Sequence, residues 1–99
     1  MNYMNNQQYY VMSKKLSKPS NKWQVILHDD DHNTFDGVVN YLMEVCGHSY
    51  IQSVQCATLT HQAKKCSIYV DTLDMCKEVE EELTDCGLTV TIKKYEKIK

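Results

Sequence analysis

A chain of 99 residues has room for one modest hydrophobic core and excludes a two-domain arrangement. Its 11 basic residues, all lysine, stand against 13 acidic ones for a net charge of −2, without the basic excess of a nucleic-acid binder. No apolar run approaches the roughly 20 residues of a membrane span, and the N-terminus lacks the apolar stretch of a signal peptide. A cytoplasmic protein with neither nucleic acid nor membrane as partner is expected.

Residues 1–21 are rich in Asn, Gln, Ser and Lys, contain the only proline, Pro19, and hold no sustained hydrophobic period. They are expected to form a flexible N-terminal extension, with Tyr9, Tyr10 and Val11 as its one apolar spot and Lys14, Lys15 and Lys18 giving it a basic balance. Residues 22–99 are expected to fold. Trp23, Val25 and Leu27 alternate with Lys22, Gln24 and the less polar Ile26, a pattern for a strand largely covered on both faces.

A polar turn, His28 to Asn33, follows. Asn33 or Thr34 can cap a helix whose apolar positions Phe35, Val38, Val39, Leu42, Val45 and Cys46 recur at three- and four-residue steps, and Gly47 stops it. A second helix starts at Ser49 and carries Ile51, Val54, Ala57 and Leu59 towards His61 and Ala63, with Lys64 and Lys65 complementing its C-terminal dipole.

Cys66 to Val70 reads as a short strand. Asp71 or Thr72 caps a third helix with Leu73, Cys76, Val79 and Leu83 inward and Glu78, Glu80, Glu81 and Glu82 outward, closed by Gly87. Leu88, Val90 and Ile92 then alternate with Thr89, Thr91 and Lys93 as a last strand. The order β-α-α-β-α-β predicts an α+β fold, a three-stranded antiparallel sheet packed against three helices on one face.

Five cysteines, Cys46, Cys56, Cys66, Cys76 and Cys86, fall ten residues apart without a CxxC pair. Zinc sites bring their ligands in close pairs, and an odd number in a chain without an export signal favours free thiols over a disulfide framework. No metal or other cofactor is expected.

The chemically dense segment is the run His28, Asp29, Asp30, Asp31, His32 and Asn33 between a strand and a helix start. Three adjacent carboxylates repel one another and would be steadied by a cation from a metal, a lysine or a partner's amine. Calcium and magnesium loops space their ligands and complete them with Gly and Glu, which this run lacks. A metal-dependent hydrolase on His28, Asp29, Asp30, Asp31 and His32 is one reading; a solvated acidic turn capping a helix is another. No nucleophile motif or phosphate loop is present, so no catalytic residue is assigned and an enzyme is not expected.

The stretch from Trp23 to Val39, WQVILHDDDHNTFDGVV, followed by Gln55 to His61, QCATLTH, closely resembles the ClpS adaptors. Those proteins carry a strand ending in an (Asn/Asp)-Asp-Asp turn and a second helix ending in histidine. The resemblance runs without gaps from Trp23 to His61 and continues through residues 66–93. It implies a non-catalytic adaptor that binds the free α-amino group and bulky first side chain of a substrate, Leu, Phe, Tyr or Trp, and delivers it to a Clp AAA+ ATPase of the ClpA or ClpC kind and its protease. Carried over by position, Asp29, Asp30 and His61 would line the α-amino site with Asp31 and Asn33 beside it. Phe35, Val38, Ala57, Thr60 and Leu88 would wall the side-chain pocket, and residues 1–21 would engage the ATPase. A monomer is expected.

This chain departs from the family at Asp29, where Asn is usual, at Ala57 and Thr60, where many members have Met and Val, and at Phe35, where many have a gating Met. Preference among the four first residues stays open. The element order also resembles the C-terminal domain of the ribosomal stalk protein, a non-catalytic interaction module that does not recognise N-termini; that domain lacks an acidic turn paired with a helix-end histidine.

Overall fold

The computed structural model of the chain describes residues 21–96. The expected extension over residues 1–21 thus lies, except for Asn21, outside the described residues. Three strands, β1 (Trp23–His28), β2 (Lys65–Asp71) and β3 (Thr89–Lys94), and three helices, α1 (Phe35–Cys46), α2 (Tyr50–Ala63) and α3 (Leu73–Asp85), follow in the order β1-α1-α2-β2-α3-β3. The sheet order is β2-β1-β3 with both pairings antiparallel, as the sequence predicts.

Each helix begins on a hydroxyl residue in extended conformation whose oxygen accepts an orphan N–H of the first turn. Thr34 takes Gly37 N–H at 3.0 Å. A Cβ on residue 37 would stand 2.9 Å from Thr34 Oγ1, so glycine there lets the cap close. Ser49 and Gln52 form a reciprocal capping box at 3.1 and 3.2 Å, which puts the expected start of α2 at its cap. Thr72 caps α3.

Helix α3 ends with Leu88 N–H bonded to Leu83 O at 3.0 Å and Gly87 N–H to Thr84 O at 2.9 Å, with Gly87 at φ 94°. This is the Schellman arrangement, and Leu83 and Leu88 are both buried as its apolar partners.

Val25 and Leu27 of the central strand join Leu42 of α1, Ile68 of β2, Cys76, Val79 and Leu83 of α3, and Leu88 in one core. The two faces of β1 are unequally covered: Val25 and Leu27 are buried, whereas the opposite face is only partly covered. No side chain on the opposite face, Gln24, Ile26 and His28, is fully buried, because the helical layer lies against Val25 and Leu27.

The β1–β2 register skips a residue between Val25/Tyr69 and Ile26/Ser67, which leaves Ile68 as a bulge. His48 Nε2, from the α1–α2 connection, donates to the Ile68 carbonyl. The bulge thereby keeps a partner for its backbone while Ile68 points into the core.

In α2 the buried residues are Ser53, Ala57 and Thr60, whereas Ile51 and Leu59 are 68% and 50% exposed. The inward face of this helix is small and partly polar. Among the described residues no helix is long and apolar enough to cross a membrane.

Candidate functional site

A cleft of about 260 Å³ opens where the turn after β1, the start of α1, the end of α2 and the α3–β3 junction meet. Its lining includes all ten residues singled out in the sequence: Asp29, Asp30, Asp31, Asn33 and His61 at the polar end, and Phe35, Val38, Ala57, Thr60 and Leu88 along the apolar wall. Leu27, His28 and Thr34 complete it.

The three adjacent carboxylates have different surroundings. Asp30 is the anchored one. Its Oδ1 accepts the Asn33 N–H at 2.9 Å and the His32 N–H at 3.1 Å, and its Oδ2 accepts Asn33 Nδ2 at 2.9 Å and Thr89 Oγ1 at 3.4 Å. Burial works to raise the Asp30 pKa, but the bonds from the Asn33 side chain and from the Asn33 and His32 backbones outweigh it and hold the carboxyl below its ordinary range.

Asn33 spends its second amide proton on Gly87 O at 2.9 Å, and His32 Nε2 donates to the same carbonyl at 3.1 Å. The turn is thus tied to the C-terminal end of α3. Asp31, at the other extreme, is fully exposed.

Asp29 lies between these limits, with its side chain 27% exposed. Its backbone N–H donates to Lys64 O at 2.9 Å, which fastens the turn to the end of α2. Its Oδ1 is 3.9 Å from His61 Nδ1 and its Oδ2 is 3.7 Å from Lys64 Nζ. His61 is 78% exposed and reaches over the acidic turn from the last turn of α2.

Ala57, Thr60 and Leu88 are each at most 5% exposed and, with Leu27, make the buried part of the cleft. Thr60 Oγ1 donates to Cys56 O one turn back at 2.8 Å, so its hydroxyl proton is satisfied within the helix. Val38 is half-buried, and Phe35, 47% exposed, stands at the rim. The cleft therefore joins an acidic mouth to an apolar interior.

The metal-hydrolase reading finds no converging ligand set. His28 is engaged with Thr91 at 2.8 Å, Asp30 is saturated, and Asp31 faces solvent. Among the described residues no group of three or more His, Cys, Asp or Glu is placed to hold a metal ion.

Sequence reasoning missed the contributions of Lys64, Gly87 and Thr89. Lys64 follows His61 by three residues and was legible only as a helix-end cation; Gly87 and Thr89 reach the turn through tertiary packing alone. The five cysteines are free, and Cys56 of α2 and Cys66 of β2 lie within hydrogen-bonding reach of each other.

The molecule is a small α+β domain with an acid-to-apolar cleft at one end of its sheet. The chain belongs to the ClpS family: the model of the family described as ATP-dependent Clp protease adaptor protein ClpS matches residues 18–91. Members of that family are adaptors rather than catalysts. Among solved structures, the chain is similar in fold to Agrobacterium tumefaciens ClpS2 bound to L-phenylalaninamide. The TM-score is 0.73 and the identity 21%, over 77% of this chain and 99% of that one. No curated protein matches the sequence significantly.

Proposed function

We propose that the cleft captures proteins by a free α-amino group and a bulky hydrophobic first residue, Leu, Phe, Tyr or Trp, and that the chain passes them to a Clp ATPase–protease. The observation that carries this reading is the joining of acidic mouth and buried apolar wall in one cleft of about 260 Å³. The ligand named for the Agrobacterium relative, L-phenylalaninamide, has a free α-amino group and an aromatic side chain, and supports it.

An unmodified α-amino group has a pKa of roughly 7.7–8.0 and is largely cationic near neutral pH; acetylation removes that charge. Asp29 and His61, which face each other at 3.9 Å across the mouth, receive the amine, with Asp30 and Asn33 holding the turn beneath them. Asp31 adds negative potential at the entrance. Phe35, Val38, Ala57, Thr60 and Leu88 receive the side chain.

Two charge-assisted hydrogen bonds at about 1.5–3 kcal/mol each and one buried side chain at about 1.5–3 kcal/mol sum to roughly 4.5–9 kcal/mol before ordering costs. That corresponds to micromolar or weaker binding, in keeping with a carrier that must release its cargo. Residues 22–99 act as a monomeric binding unit in a cytoplasmic setting, and the basic stretch within residues 1–21 makes the contact with the ATPase, of the ClpA or ClpC kind.

Fluorescence anisotropy with peptides beginning in free Leu, Phe, Tyr, Trp or Ala, and with N-acetylated Phe, tests the reading. Binding of the large apolar N-termini that is lost on acetylation is expected. A folded protein that binds none of them would instead be an interaction module that does not recognise N-termini.

A further inference from the structure

The cation facing Asp29 comes from the chain itself. Lys64 closes α2 at φ 78°, and among the described residues it is the one non-glycine with positive φ. A Cβ is sterically disfavoured there and glycine is the common choice. In this conformation Lys64 O accepts the Asp29 N–H at 2.9 Å, and its Nζ lies 3.7 Å from Asp29 Oδ2. Backbone and side chain of one residue thus both address Asp29.

A lysine ammonium and a protonated α-amino group are the same chemical species for a carboxylate, a compact cation with three N–H donors. The Lys64–Asp29 separation exceeds the roughly 2.7–2.9 Å of a tight charge-assisted bond. The Lys64 side chain is 76% exposed, so the pair is loose and displaceable.

We propose that Lys64 sets the affinity and selectivity of the cleft by competing, as a built-in ammonium, with an incoming α-amino group for the Asp29 carboxylate. The inference rests on the reading of the cleft as an α-amino site. Its consequence is selection by the apolar pocket. An incoming amine must displace the cation already beside Asp29, so its net gain there is reduced and the buried first side chain carries a larger share of the binding.

The test is the Kd of a fluorescent peptide with free N-terminal Phe for the full-length chain and its Lys64→Gln, Lys64→Gly, Asp29→Asn and Lys64→Gln/Asp29→Asn variants, at low and high salt. Circular dichroism monitors folding, and N-acetylated Phe peptide is the control. Lys64→Gln and Lys64→Gly are expected to tighten binding about two- to five-fold at low salt. The gain should shrink in high salt and vanish in the Asp29→Asn background.

Unchanged or weaker binding by both Lys64 variants overturns the proposal, as does an equal gain in the Asp29→Asn background. In either case wild-type binding that depends on the free amine leaves the underlying reading intact. If neither the wild type nor any folded variant distinguishes free from acetylated Phe, the α-amino reading itself fails and takes the role of Lys64 with it.

Discussion

Asp30 and Asn33 are joined twice, by the Asn33 N–H to Asp30 Oδ1 and by Asn33 Nδ2 to Asp30 Oδ2, both at 2.9 Å. The other Asn33 amide proton goes to Gly87 O. Between them the two residues fix the acidic turn to the α3–β3 junction.

Asn33→Ala removes one bond to a carboxylate and one to a carbonyl. A loss of roughly 1–3 kcal/mol in stability is expected from urea unfolding, together with weaker binding of a free-amine Phe peptide. A variant of unchanged stability would mean that the turn is held elsewhere.

The hydrogen bonds that hold the Asp30 pKa below its ordinary value of 3.8 tie stability to pH. A group whose folded pKa is depressed stabilises the protein above its unfolded pKa, and that stabilisation is lost as pH falls through the folded value. Urea midpoints measured as the pH is lowered below about 4 should fall more steeply for the wild type than for Asp30→Asn, which has no carboxyl to protonate. Parallel curves would remove Asp30 from the acid transition.

His61 is 78% exposed and stands 3.9 Å from Asp29, beyond hydrogen-bond distance. His61→Ala is therefore expected to change stability by less than about 0.5 kcal/mol. Loss of one charge-assisted contact to the substrate would weaken peptide binding by about tenfold or more. Anisotropy and thermal unfolding on one preparation separate the two effects, which Asp30→Ala cannot do.

The neighbouring Cys56 thiol favours a thiolate on Cys66 and lowers its pKa against the opposing effect of burial. The same contact, with burial, pushes Cys56 up. Burial likewise raises Cys46, to about 12, and Cys76. Iodoacetamide with mass-spectrometric mapping should find Cys66 modified ahead of these three at pH 7. Cys56→Ala should raise the pH at which the Cys66 rate turns over.

Ser53 is fully buried in α2, and its Oγ has no hydrogen-bond partner among the described residues. Ser53→Ala removes an unpaired polar atom without opening a large void, so an unchanged or slightly higher melting temperature, equivalent to a gain of up to about 1 kcal/mol, is expected. A clear drop would point to a partner for the hydroxyl.

Local chemistry determined the elements. Caps, the glycines Gly47 and Gly87 and the alternation around Val90 and Ile92 each act within a few residues, so helix starts were legible to within a residue, with Thr34 over Asn33 and Thr72 over Asp71 decided by the structure, and helix ends and the last strand were legible too. The motif from Trp23 to His61 carried the family, and with it ten residues that line one cleft.

Tertiary structure decided how the three aspartates differ. In the chain they are equivalent neighbours, and they diverge only because Gly87 and Thr89 approach from more than fifty residues away while the end of α2 brings His61 and Lys64 over Asp29. It also turned Ser53, Ala57 and Thr60 of α2 inward and left Ile51 and Leu59 outside. Hydrophobic period identifies a helix, but which of its faces is covered depends on the elements packed against it, and that is set by long-range packing.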